Sequence, residues 1–354
     1  MNYKKIIFNR SREISLDKFI SKALYDKKYG YYMKKIPFGI KGDFVTAPLI
    51  SNLFNEMIAI WCVSFWEDIG KPKKINFVEL GPGDGSLCKT IIKTFKKFPT
   101  FNRSCNIFLY EISKKLKNIQ NTKIKNKKIK WIKNLKNIKT GPTIFFGNEF
   151  FDSLPIKQFI VLKKKILEKH ITLTNNNNLK YTFKKAKKKH INQLINFNIP
   201  IKKKIIEFPI ETINHLKIIA EKIKKYDGAL LIFDYGYDRN VMEESLQSIR
   251  KHKYSNIFSK IGNTDISSHV NFRLISNFLR KKNLIVEKII NQNKFLYKMG
   301  IAHRADIISK KLSFKKKADL YYRLKRLLDE KSMGSLFKVL LAKKKYNKFS
   351  TGFN

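Results

Sequence analysis

Residues 75 to 85 read Ile-Asn-Phe-Val-Glu-Leu-Gly-Pro-Gly-Asp-Gly, and no other stretch limits the fold so tightly. A short apolar run carrying one acid, Glu79, breaks into glycines at 81, 83 and 85. The pattern predicts a buried parallel strand, a tight loop and a helix starting near Ser86. Glycine accepts positive φ and lets a ligand approach the main chain closely. Asp84 and Ser86 suit the mouth of a helix, where amide donors lack partners. Such a loop holds nucleotide-like ligands at the carboxyl end of a strand.

Spacing selects among those ligands. A dinucleotide fingerprint, Gly-x-Gly-x-x-Gly, would put its third glycine at 86, where this chain has serine. The observed Glu-x-Gly-x-Gly-x-Gly resembles the first motif of class I S-adenosylmethionine-dependent methyltransferases. That ligand has a sulfonium and an amino-acid tail in place of a pyrophosphate, and Glu79 suits its ammonium. The competing reading is a glycine-rich turn in some other α/β protein.

Further strands are predicted at 107–111, 128–132, 143–147 and 229–234, with helical stretches between several of them. The alternation implies an α/β fold with a mostly parallel, doubly wound sheet. Glu111, at the end of the second strand, can bind two ribose hydroxyls; the alternative is a solvated strand-end carboxylate. Upstream, a helix is expected over 13–25 with Ser15 as cap, and another over 51–69 behind Ser51. Residues 156–210 interrupt the alternation. Two β-prone runs flank the asparagines at 175–178, whose tolerance of left-handed geometry suits a hairpin. These readings divide the chain into an amino-terminal helical extension (1–70), a core (71–155 and 211–345) and an inserted β-rich subdomain (156–210) on the substrate side. After 235 the expectation is a loop-rich stretch to about 270, a helix over 272–281, strands near 284–289 and 294–299, and a closing helix over 318–329.

The formal net charge is +48, from 75 basic and 27 acidic residues, which taken alone suggests nucleic acid or an anionic membrane. Only ten of the basic residues are arginine, however, and the lysines are dispersed. No stretch interleaves them with stacking aromatics. A solvated surface filled by a compositional bias toward lysine, asparagine and isoleucine is the reading favoured here, with no specific nucleic-acid partner. Cys62, Cys88 and Cys105 lie far apart, without metal or disulfide spacing, which fits a reducing compartment. No apolar run reaches the ~18 residues of a membrane span, and the first residues lack the apolar core of a signal peptide.

A second motif, Asn148-Glu149-Phe150-Phe151-Asp152-Ser153-Leu154-Pro155, closes the fourth predicted strand. Enzymes that methylate amino groups of DNA carry an Asn/Asp-Pro-Pro-aromatic sequence here; this chain does not. Together with Tyr29-Gly30-Tyr31-Tyr32, Gly42-Asp43-Phe44, Phe233-Asp234-Tyr235-Gly236, the stretch Asp265 to Phe272 and Met333 to Lys338, the ordered set resembles the MidA-like methyltransferases over about residues 13–340. These are the mitochondrial complex I assembly factors that methylate arginine, and their bacterial relatives. The resemblance implies a class I fold, S-adenosylmethionine as donor, and arginine of a protein as acceptor, in the known case a quinone-side core subunit of complex I. It implies a cytoplasmic setting in a bacterium or the mitochondrial matrix in a eukaryote, and leaves a homodimer open.

The chain departs from the family pattern at Leu49, Asn55 and Asn271. Ile132 and Lys133 follow Trp131 where a His-Asp pair is usual, leaving Asn134 or backbone to meet the adenine. Glu79, Gly81, Gly83, Gly85, Glu111 and Asn148 are the expected donor-binding residues. Glu149 and Asp152, then Asp43 and Asp234, are the candidates to bind and orient a guanidinium, which is protonated at pH 7. The structural alternatives are a capped turn for Asp152, a helix cap or a sheet-end charge for Asp234, and turn formation for Asp43. His269 is read as structural, and Leu336 and Phe337 as core. The rival functions are a nucleic-acid methyltransferase and a non-catalytic assembly scaffold.

Overall fold

The computed structural model describes residues 3–8, 11–37, 46–199, 205–239, 242, 244–250 and 253–354. Asp43, with Gly42 and Phe44, lies outside them. Five parallel strands form the centre of the main sheet: Ile75–Leu80, Cys105–Tyr110, Lys130–Ile132, Thr143–Asn148 and Gly228–Tyr237. Ile75–Leu80 sits between Cys105–Tyr110 and Thr143–Asn148, so the winding direction reverses at its carboxyl end. Beyond Gly228–Tyr237, strand Phe337–Lys344 runs antiparallel, and Leu284–Val286 pairs with it at the edge. Both faces are covered, which explains why these strands read as apolar runs.

Alternation along the strands feeds two cores. Phe77, Leu109, Phe146, Leu231 and Leu341 meet helices Asn52–Asp68 and Ser86–Phe95 on one face. Val78, Phe108, Phe145, Ile232 and Leu340 meet Ile210–Tyr226 and Phe272–Lys281 on the other. Helix Asn52–Asp68 starts where Ser51 accepts a hydrogen bond from Leu53 N (3.2 Å). It buries Phe54, Trp61 and Phe65 completely, each burial worth about 1.5–3 kcal/mol. Among the described residues no helix is long and apolar enough to cross a membrane.

The inserted segment forms a second sheet from Lys157–Leu162, Lys165–Leu173, Leu179–Lys185 and Ile205–Phe208, including the hairpin around 175–178. A strand from the amino-terminal region joins it. Glu13–Ser15 pairs antiparallel with Lys165–Leu173, so the expected helix over 13–25 is a strand followed by helix Leu16–Tyr25. Ser15 is the N-cap residue, without a side-chain capping bond. Leu16, Phe19 and Ile20 pack on Ile156 and Ile171, and Lys157 Nζ bridges Asp17 Oδ1 (2.9 Å) and Glu168 Oε1 (2.5 Å).

Three other expectations are corrected. Residues 294–299 lie largely in helix Gln292–Lys298, because Gln292, Phe295 and Leu296 are buried at helical spacing. The stretch after 235 contains a small sheet of Gln247–Arg250, Lys253–Tyr254 and Asp265–Ser267. Strand Phe337–Lys344, between Gly228–Tyr237 and the edge strand, is an addition to the expected strands. Its lysines disguise it, and Lys343 is buried by pairing with Glu287 Oε1 (2.6 Å).

Candidate active site

A cavity of about 750 Å³ opens where the winding reverses. Its floor is the glycine loop. Gly81, Gly83 and Gly85 all have positive φ (65°, 54° and 81°). At Gly81 an added Cβ would stand 2.8 Å from the Phe150 ring, so a side chain would have to displace the neighbouring loop. Asp84 precedes the N-cap Gly85 of the following helix, and its Oδ1 accepts from Ser86 N (2.9 Å). Lys123 pairs with its other oxygen.

Glu79 lines this floor at 4% exposure, and its Oε2 has no hydrogen-bond partner. Burial first, then Asp84 and Glu111, push its pKa up to about 8. Glu111 is also buried and lines the cavity. Its Oε1 accepts from Ser113 N (2.7 Å) and its Oε2 from Gln120 Nε2 (3.0 Å). Gln120 also donates to Gly83 O (2.8 Å) and accepts from Trp131 Nε1 (2.8 Å), so it ties loop, acid and indole together. Nothing local in the sequence marks that residue. Asn134 caps the short turn that follows it by accepting from Lys136 N (2.9 Å) and does not line the cavity.

The opposite wall is the loop after Thr143–Asn148. Asn148 Nδ2 donates to Glu149 Oε1 (3.1 Å), while Asn148 Oδ1 is buried without a partner. Glu149 has φ +50°, a conformation a non-glycine residue keeps only when its surroundings enforce it. Burial, then the nearby Asp152, raise its pKa to about 8. Asp152 is 7% exposed; Tyr235 Oη donates to its Oδ2 (2.5 Å), and its Oδ1 is unpartnered. Burial raises its pKa to about 6 against the opposing Tyr235 hydrogen bond.

Asp234 is placed differently. It is fully buried and does not line the cavity. Oδ2 accepts from Phe151 N (3.0 Å) and Asp152 N (3.4 Å), and Oδ1 from Tyr235 N (3.0 Å). Its carboxylate therefore shapes the loop that carries Glu149 and Asp152.

Tyr25, Tyr32, Tyr235, His269 and Asp265 complete this wall. The first two tyrosines stack (5.6 Å, 17°), and His269 lies edge-on to Tyr235 (5.6 Å). Tyr32, Tyr235 and Asp265 belong to motifs of the family resemblance, whereas Tyr25, at the end of helix Leu16–Tyr25, belongs to none of them. Leu336, expected in the core, is half exposed at the cavity wall, whereas Phe337 is buried.

The charge of the lining inverts that of the chain. Seven carboxyl groups line the cavity: Glu79, Asp84, Glu111, Glu149, Asp152, Glu211 and Asp265. Among the described residues Arg326 is the sole lysine or arginine there, although the chain carries 75.

This sheet order, with a glycine loop at the reversal and an acidic wall beside it, is the class I methyltransferase architecture. The model of a family described as "putative S-adenosyl-L-methionine-dependent methyltransferase" matches residues 57–290, and the chain belongs to that family. It is 28% identical to the mitochondrial protein arginine methyltransferase NDUFAF7 of Xenopus tropicalis, over 92% of this chain and 81% of that one. The Homo sapiens NDUFAF7 is 25% identical, over 92% and 78%. A Burkholderia thailandensis protein crystallised with S-adenosyl-homocysteine shares the fold, with TM-score 0.80 at 18% identity, covering 99% of this chain and 91% of that one.

Proposed function

We propose that this protein transfers a methyl group from S-adenosylmethionine to arginine in a protein. The observation that carries the reading is the acid-lined cavity in a strongly basic chain. A cationic donor and a cationic acceptor both find compensating charge there, whereas a phosphate backbone would meet carboxylates. The orphaned Glu79 oxygen beside three left-handed glycines fits the donor's ammonium, and Glu111 fits its ribose hydroxyls. When bound, the donor supplies a methyl group on a sulfonium. Glu149 and Asp152 bind the guanidinium and turn one nitrogen toward the donor side; holding reactants in place contributes about 7–11 kcal/mol. Pairing with the cationic guanidinium lowers the raised pKa of Glu149, and the ionised carboxylate takes the proton that the acceptor nitrogen loses.

The quinone-side core subunit of complex I is the first acceptor to test, in the mitochondrial matrix or a bacterial cytoplasm. The sheet formed by residues 156–210 is the proposed substrate-side subdomain. Incubation with labelled donor and lysate should place label on arginine of a protein. Label that survives protease but disappears on nuclease treatment would overturn the assignment, and an absence of any label would favour a non-catalytic scaffold.

A further inference from the structure

We infer that Asp265 is a second acceptor-binding carboxylate, set across the cavity wall from Asp152, and that each acid is held in place by a tyrosine hydroxyl. This rests on the reading that the acceptor is a guanidinium. Tyr32 Oη donates to Asp265 Oδ1 (2.9 Å), and Tyr235 Oη donates to Asp152 Oδ2 (2.5 Å). The two acids come from different segments, but their backbones are joined, since Ser268 N donates to Asp152 O (3.0 Å). Both line the one cavity and both are more than nine-tenths buried.

Carboxylates packed together at such burial are costly unless a cation shares the site. Asp152 Oδ1 still has no partner. A lysine ammonium would satisfy one such acid at a point; a guanidinium presents donors along several edges of a plane and can engage two. The stacked Tyr25–Tyr32 pair supplies flat walls. Tyr25 is fixed by donating to Ser153 O (2.9 Å), in the loop that carries Asp152. The helical segments that supply Tyr25 and Tyr32 thus become part of the acceptor site. Tyr32 and Tyr235 act through the acids they hold and are positioning residues.

The test uses the full chain saturated with S-adenosylhomocysteine and titrated with N-acetyl-arginine-amide. The citrulline counterpart, neutral and of similar shape, is the control. Arginine should be preferred. Asp265→Asn keeps an oxygen for Tyr32 yet removes the charge. It should weaken the arginine probe about tenfold or more and leave S-adenosylhomocysteine affinity unchanged. Tyr32→Phe should weaken the probe several-fold and, in turnover with an acceptor peptide, raise KM more than it lowers kcat. Unchanged probe binding in Asp265→Asn, with arginine still preferred by the wild type, would overturn this inference alone. No preference for arginine over citrulline would overturn the arginine reading and this one with it. If Asp265→Asn also loses S-adenosylhomocysteine, Tyr32→Phe decides by whether probe affinity falls.

Discussion

Glu79 is a carboxyl that the fold holds largely protonated at neutrality, and this has consequences of definite sign. Its pKa is raised to about 8 from an ordinary value of 4.5. Between those values the folded state binds more protons than the unfolded one, so stability falls as pH rises through the window. Glu149 adds to the same trend. Glu79→Gln should therefore melt higher than the wild type by a margin that grows from pH 5 to pH 8, as scanning calorimetry will show. A margin independent of pH would contradict this. The same substitution should weaken S-adenosylhomocysteine binding about tenfold or more, since a hydrogen bond to a charged group is worth about 1.5–3 kcal/mol. Glu149→Gln should lower turnover about 100-fold or more while donor affinity stays within about twofold. Turnover at the wild-type rate would move the proton-accepting role elsewhere.

The loop between Thr143–Asn148 and Ser153 is the element whose shape matters most, and it is built from outside itself. Asp234 holds it through two backbone amides, and Phe150 packs beside Gly81. Asp234→Asn would turn an amide group toward one of three backbone N–H donors, at a cost of about 1–3 kcal/mol. Both stability and turnover should drop, whereas Asp152→Asn should affect turnover far more than the melting temperature. Comparing thermal melts with initial rates separates the two. Gly81→Ala combines positive φ with a contact at 2.8 Å. It should cost about 1–2 kcal/mol from the left-handed backbone alone and lose donor affinity through the displaced Phe150.

At the scale of the molecule, surface and cavity carry opposite charge. The surface should hold nucleic acid weakly, without sequence preference, and release it between low and physiological salt. Saturating RNA should leave methyl transfer to an acceptor peptide unchanged at physiological salt. Competitive inhibition there would show that nucleic acid enters the acid-lined cavity and would overturn the protein-substrate reading.

Much of the core was legible along the chain because its signals are local. Glu79 and the three glycines sit within a few residues of each other, and each central strand is an apolar run bounded by polar turns. Helices 52–68 and 272–281 carried their caps and faces with them. Strand Phe337–Lys344 escaped because a buried lysine near its end, Lys343, is tolerated through Phe349 O and through Glu287, a partner distant in sequence. Glu13–Ser15 escaped because its ladder lies in the inserted sheet. The acceptor wall is the extreme case. Tyr32 and Asp265 are separated by more than half the chain, and neither Asp234 nor Asp152 carries a local mark of which one faces the cavity. Local pattern identifies strands, turns and the donor loop because backbone preference and solvent exclusion act over neighbouring residues. Which acids face the cavity and which face backbone amides follows from strand order and loop packing, where hydrogen-bond satisfaction is settled between segments far apart in sequence.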